Sequence, residues 1–148
     1  MSRAVAGQPK GSGYTLEDQV GHLLRRAHQR ATQIFLETFD AAGLTPTQWA
    51  ALAKLAEVGS ASQNALGRLT AMDPATVQGV IRRLESRGLT TREPDPDDRR
   101  RTRLRLSDQG VVLVRQLTGI GLAVSDKTLA PLDDAERVRF LALLKRLA

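Results

Sequence analysis

Apolar residues recur at steps of three and four along most of this chain, and that spacing predicts a mainly α-helical protein. The first predicted helix is long: it runs from Tyr14 to Ala42, and Gly43 ends it. Thr15 is placed to cap this helix, with Asp18 as the partner of a capping box. The same spacing predicts five shorter helices further along the chain, at 46–58, 62–70, 74–87, 108–128 and 133–147.

Two Pro-containing pairs mark where internal helices begin. Thr45 precedes Pro46 and Asp73 precedes Pro74, and an oxygen-bearing cap followed by proline at the first helical position is a typical helix start. Only a short turn separates the helix at 62–70 from the helix that opens at Pro74. This spacing is typical of a helix-turn-helix unit, in which the first helix braces the second and the second enters a DNA groove.

The helix that opens at Pro74 ends at Gly88, and the pattern of side chains that follows repeats every two residues. From residue 101 to residue 106 arginines alternate with threonine or leucine, which predicts a β-strand. Residues 89–93 are predicted to form its partner, and the Pro-rich segment 94–98 is predicted to turn between them, giving a β-hairpin wing. The hairpin carries five arginines that we expect to contact DNA phosphates: Arg99, Arg100, Arg101, Arg103 and Arg105.

The helix that opens at Pro74 has one apolar face and one face suited to a groove. Its apolar face is formed by Val77, Val80, Ile81 and Leu84. The opposite face is small near the start of the helix and basic further along, so it can approach DNA closely while its flanks reach bases or phosphates. The residues predicted to contact the major groove are Ala75, Thr76, Gln78, Arg82 and Arg83.

Composition supports a nucleic-acid partner. The 148 residues carry a formal net charge of +6, and the arginines gather between residues 82 and 105, which concentrates positive potential in one region. The chain has no cysteine, which excludes disulfides, thiolate metal sites and thiol-based sensing. No apolar run approaches the ~20 residues needed to span a bilayer, and the N-terminus lacks the apolar segment of a signal peptide. We therefore expect a cytoplasmic protein.

The pattern divides the chain into three parts. Residues 1–13 are small, polar and Gly-rich, and we expect a disordered tail. Residues 44–106 are predicted to form the winged helix-turn-helix DNA-binding domain. Residues 14–43 and 107–148 are predicted to supply helices that pack against a second copy of the chain.

Four residues are candidates for a pocket that holds a small organic anion: His22, Arg25, Arg26 and Trp49. A neutral histidine and arginines suit a carboxylate, and an indole ring suits a planar ligand. The alternatives are solvent-exposed polar residues on the first helix and a tryptophan that fills the core. Asp18 and His22 are four residues apart, but no third ligand is evident, so no metal site and no cofactor are predicted.

Four motifs, in this order, resemble the MarR/SlyA family of bacterial transcription regulators. Residues 44–49 read LTPTQW, residues 72–77 read MDPATV and residues 84–89 read LESRGL. The fourth, DPDDRRR at 95–101 followed by LRLSDQG at 104–110, is the most specific of them. The resemblance spans about residues 15–147.

This resemblance implies an α-rich winged-helix fold and a homodimer built from N- and C-terminal helices. It also implies binding to pseudo-palindromic operators, with Arg100 reaching the minor groove and Asp98 orienting that arginine. Many such regulators release DNA when a small aromatic carboxylate, or its coenzyme A thioester, binds between the dimerisation helices and the DNA-binding part.

The predicted function is therefore a homodimeric repressor of a catabolic operon, released from its operator by such a ligand. An enzyme is not expected, because no Gly-rich phosphate loop or catalytic triad is evident. A sequence-nonspecific architectural DNA-binding protein without a ligand remains the alternative, because it would share the basic wing.

Overall fold

The computed structural model describes residues 13–148 and contains six helices and a three-stranded antiparallel sheet within that range. The predicted mainly α-helical winged fold is confirmed. Of the predicted tail at 1–13, all but Gly13 lies outside the described residues. The helices are α1 Val20–Thr38, α2 Pro46–Val58, α3 Gln63–Leu69, α4 Pro74–Ser86, α5 Asp108–Thr128 and α6 Asp134–Leu147, and the strands are β1 Ser60–Ala61, β2 Thr90–Pro94 and β3 Thr102–Leu106.

The single long helix predicted from Tyr14 to Ala42 is wrong. Gln19 has an extended backbone (φ −82°, ψ 132°), so α1 starts after it and the preceding residues form only a short 3-10 turn, Leu16–Asp18. Thr15 makes no side-chain capping bond, so the predicted capping box is also absent. A second 3-10 turn, Asp40–Ala42, follows α1, and the predicted end at Gly43 is correct, with a left-handed φ of 61°.

The predicted caps of the later helices are confirmed. Thr45 accepts a bond from the backbone N–H of Gln48, whose side chain bonds back to the N–H of Thr45. Ser107 and Asp133 each accept a backbone N–H bond three residues on. Because these bonds satisfy backbone groups at the helix ends, they fix where α2, α5 and α6 begin.

The sheet is ordered β1-β3-β2, with all pairings antiparallel. The hairpin of β2 and β3 is the predicted wing, and in its register Thr90 lies opposite Leu106 and Pro94 opposite Thr102. The segment at 59–62 was predicted only as a turn, and β1 within it pairs with β3. Two residues are too few to show the period of a strand, and the partner is more than 40 positions away.

One hydrophobic core joins the parts that the sequence pattern separated. Leu52 of α2, Leu84 of α4 and Leu104 of β3 are almost completely buried at its centre. The same core includes Phe35 of α1 and Leu117 of α5. A movement of α1 and α5 is therefore felt by the helices that carry the helix-turn-helix unit.

The wing is fastened to α5 at one very close contact. The N–H of Ser107 donates to the carbonyl of Leu89 over 3.0 Å, and the Ser107 hydroxyl donates to the carbonyl of Gly88. A Cβ added at Gly110 would lie 2.1 Å from the Leu89 carbonyl oxygen. Only glycine allows α5 to pass the start of β2 at this distance.

Candidate DNA interface

The exposed face of α4 is small at its start and basic towards its end, as predicted. At 100° per residue, Ala75, Gly79, Arg82 and Ser86 lie opposite the buried residues Val77, Val80, Ile81 and Leu84. A Cβ at Gly79 would meet no atom within 4 Å, so the fold does not require glycine there. Thr76, Gln78, Arg82 and Arg83 are all exposed. The helix thus presents the five predicted major-groove residues to solvent.

Asp73 fixes the start of α4. Its carboxylate accepts the backbone N–H of Thr76 at Oδ1 and the hydroxyl of Thr76 at Oδ2, both over 2.8 Å. The backbone bond from Thr76, followed by the side-chain bond, lowers the pKa of the Asp73 carboxyl below its usual value. Asp73 is therefore ionised at neutral pH, and its charge lies at the positive end of the helix dipole.

At the wing tip, Asp98 holds two arginines. The Arg100 Nε lies 3.1 Å from Asp98 Oδ1, and the Arg101 Nε lies 3.7 Å from Asp98 Oδ2. The bonds from the Arg100 side chain and then its backbone N–H lower the pKa of Asp98. The side chain of Arg100 is nevertheless 91% exposed. Asp98 thus holds the Arg100 guanidinium through its Nε and one Nη, while the rest of the side chain stays open to solvent at the tip.

The other wing arginines divide into two groups. Arg99, like Arg100 and Arg101, is exposed at the tip. Arg103 instead donates to the hydroxyl and the carbonyl of Ser60, each over 3.0 Å, and is half-buried. Arg105 donates to Glu93 across the hairpin over 3.2 Å. Three of the five arginines predicted to contact phosphates are therefore exposed at the tip, whereas Arg103 and Arg105 also hold the sheet together.

A link between α4 and the wing was not found from the sequence. The Nε of Arg92 on β2 lies 2.6 Å from the Glu85 Oε1 on α4. It joins the two elements that would contact DNA. Glu85 and Arg92 are seven residues apart across the left-handed turn at Gly88, and helix or strand periodicity carries no signal for such a pair.

The four predicted pocket residues do not come together within one chain. Trp49 packs against the ring of Phe39, with centroids 5.2 Å apart, and its indole closely approaches α5 at Gly121. Trp49 therefore lies near the C-terminal end of α1, because Phe39 directly follows that helix. His22 lies near the start of α1, 17 positions before Phe39, which is about 25 Å along a helix. Arg25 and Arg26 lie near His22. Within one chain α1 separates the tryptophan from the other three residues, and their joint role in a ligand pocket stays a prediction.

His22, Arg25 and Arg26 share one side of α1. By helical position they lie opposite the side of α1 that carries Leu23, Leu24 and Ala27. Both arginines are exposed and His22 is half-buried. They form a basic patch on the outer side of α1.

An apolar trough lies between α1 and α6. It has a volume of about 430 Å³, and its lining residues are Val20, Leu23, Leu24, Ala27, Phe140, Leu143, Leu144 and Leu147. The helix α6, which forms one side of this trough, has no buried residue, and the side chain of Val138 on it is 73% exposed. Exposed apolar surface of this extent is typical of an interaction site. Within residues 13–148 no helix combines the length and hydropathy needed to cross a membrane.

Comparison with known proteins gives a consistent family. The sequence model of the MarR family matches residues 44–102, from two residues before α2 to the first residue of β3. The chain is 37% identical to the HTH-type transcriptional repressor NicR of Pseudomonas putida, over 90% of this chain and 85% of that protein.

Two solved structures have the same fold over nearly the whole chain. A probable transcriptional regulator from Pseudomonas aeruginosa is 46% identical, with a TM-score of 0.85 over 90% of this chain and all of its own. BpsR of Bordetella bronchiseptica is 38% identical, with a TM-score of 0.87 over 92% of this chain and 97% of its own. DNA binding by BpsR is regulated by 6-hydroxynicotinic acid.

Proposed function

Because this chain belongs to the MarR family of DNA-binding transcriptional regulators, we propose that it is a homodimeric repressor of a catabolic operon, released from a pseudo-palindromic operator by a small aromatic acid or its coenzyme A thioester. It is a regulator and not an enzyme. The observation that carries the proposal is the pairing of an exposed groove-sized face on α4 with the Asp98-held Arg100 at the wing tip. Such a repressor would act in the cytoplasm, on the bacterial chromosome.

The second copy would cover the apolar surfaces of α1 and α6. In one chain Leu23 is 48% exposed, Leu143 is 47% exposed and Leu147 is 71% exposed. Extended apolar faces on helices from both ends of a chain are typical of an obligate dimer interface. A two-fold dimer would also present two α4 helices to two half-sites, roughly 34–36 Å apart on one side of the duplex. Sedimentation equilibrium should give twice the 16.1 kDa of one chain.

An effector site on the outer side of α1 fits the chemistry of an aromatic acid. His22, Arg25 and Arg26 can donate to a carboxylate, and coenzyme A adds further phosphate groups that arginines bind well. Trp49 would respond to the ligand indirectly, because it joins the end of α1 to α5. The dimer would have two states, one in which the spacing of the two α4 helices fits the operator and one in which it does not. A ligand that binds the second state more tightly would weaken operator binding by the difference between its affinities for the two states.

Titration with aromatic acids tests this part of the proposal. Operator binding should be measured by fluorescence anisotropy at fixed salt, with 6-hydroxynicotinic acid, benzoate-type acids and coenzyme A thioesters. One compound should release the DNA, and Arg25→Ala should lose that release while keeping its affinity for the operator. Lys54→Ala, which removes the same charge from α2, serves as the control. Release that is unchanged in Arg25→Ala would exclude this patch as the effector site.

Gly79→Ala should separate stability from DNA binding. The added Cβ has open space within the fold, and alanine in a helix interior is favoured over glycine by about 0.5–1 kcal/mol. The variant should therefore unfold at a higher urea concentration. Its operator affinity should fall, because the methyl group stands between the α4 backbone and the groove. An affinity equal to or above that of the unmodified protein would show that α4 does not approach DNA along this face.

A further inference from the structure

The hydroxyl group of Thr76 has a fixed direction. It donates to Asp73 Oδ2 over 2.8 Å, while the backbone N–H of the same residue donates to Asp73 Oδ1 over 2.8 Å. An ionised carboxylate only accepts hydrogen bonds, so the single proton of the hydroxyl is committed to Asp73. The bonds from Thr76 also keep the pKa of Asp73 low. What Thr76 offers to any other group is the lone pairs of its oxygen.

An oxygen that can only accept hydrogen bonds limits what Thr76 can recognise on DNA. Phosphate oxygens are themselves acceptors, and the adjacent Asp73 charge would repel them. In the major groove the hydrogen-bond donors are the N4 amino group of cytosine and the N6 amino group of adenine. Thr76 is the third residue of α4, and residues near the start of a recognition helix are those that meet base edges.

We propose that Thr76 is a specificity-determining residue that accepts a hydrogen bond from the exocyclic amino group of an adenine or cytosine, and that Asp73 is the positioning residue that makes its hydroxyl an acceptor. This rests on the proposed function, since it assigns a role within the operator complex. It goes further than a groove contact, because it states the polarity of the hydrogen bond and hence the bases that it allows.

Operators that lack single amino groups test the assignment. Each adenine of a half-site is replaced in turn by purine, and each cytosine by pyrimidin-2-one. The unmodified protein should lose roughly 2- to 13-fold in affinity per half-site at the position that Thr76 reads, the worth of one hydrogen bond. Thr76→Val keeps the shape of the side chain but not the acceptor, so it should show the same loss on the natural operator. It should show no further loss when the amino group at that position is removed.

Thr76→Ser is the matched control and should keep the preference. The identity of the sensitive base decides between adenine and cytosine. If Thr76→Val remains as sensitive as the unmodified protein at every position, Thr76 is only part of the helix cap and the assignment fails. If the unmodified protein does not distinguish its operator from random DNA, the proposed function fails instead, so the two failures can be told apart.

Asp73→Asn tests the positioning role. Asparagine caps helices as well as aspartate does, and its carbonyl can still accept the Thr76 N–H. Its NH₂ group then donates to the Thr76 oxygen, which frees the hydroxyl proton. Preference at the sensitive position should therefore relax, because the freed hydroxyl can also donate to the carbonyl of thymine or guanine while its second lone pair still accepts from adenine or cytosine. An unchanged preference, in a variant whose urea unfolding shows that the cap is intact, would overturn the role of Asp73.

Discussion

Gly110→Ala is expected to destabilise the protein by about 3 kcal/mol, at the upper end of what overpacking usually costs. The new Cβ would lie 2.1 Å from the carbonyl oxygen of Leu89 and 3.1 Å from its carbonyl carbon. Both are backbone atoms, and the oxygen also accepts the N–H of Ser107. The clash cannot be relieved by a side-chain rotation, so α5 has to move away from the wing.

Urea unfolding followed by circular dichroism measures this change, and α5 offers a matched control. Gly119→Ala lies in the same helix with nothing within 4 Å of the added Cβ, so it should stabilise the protein by about 0.5–1 kcal/mol. A loss below about 1 kcal/mol for Gly110→Ala would mean that the contact between α5 and Leu89 is looser than described.

Arg100→Ala is expected to reduce operator affinity at least about 30-fold and to leave the fold unchanged. The estimate takes about 1 kcal/mol or more for a DNA contact in each of two half-sites. The side chain is 91% exposed, so its removal disturbs no packing. Affinity is measured by anisotropy at fixed salt, because phosphate contacts weaken as salt rises.

Two further variants show what Arg100 does. Arg100→Lys keeps the charge but has no Nε–H to donate to Asp98, so it should recover only part of the affinity. Lys54→Ala removes one positive charge from α2 and should bind nearly as the unmodified protein does. Equal losses for Arg100→Ala and Lys54→Ala would mean that only net charge matters and that the wing tip makes no specific contact.

Local signals in the sequence predicted most of the fold. An oxygen-bearing cap followed by proline located the starts of α2 and α4, and the alternation of arginine and leucine located β3. These signals work because they are local. A helix cap bonds to a backbone group only a few positions away, and the side chains of a strand alternate between its two faces from one residue to the next. The first helix was overestimated because Gln19, which leaves the helical conformation, is itself neither glycine nor proline.

Contacts between distant residues were not predictable in this way. Arg103 bonds to Ser60, which lies 43 positions earlier on a strand too short to recognise, and its predicted phosphate contact stays a prediction. Trp49 was grouped with His22 on chemical grounds, and the length of α1 separates them. The exposed residues of α4 and the wing tip were predicted well, because exposure on one helix or one turn follows from local geometry. Their contacts with DNA remain predictions.

A sequence-selective regulator is distinguished from a nonspecific DNA-binding protein by the ratio of its affinities for operator and random DNA. The DNA flanking the protein's own gene and a random duplex of equal length would be titrated by anisotropy at the same salt concentration. A sequence-selective regulator should prefer the former by a factor of roughly 10³ or more. Equal affinity for the two duplexes would contradict the account and favour an architectural DNA-binding protein.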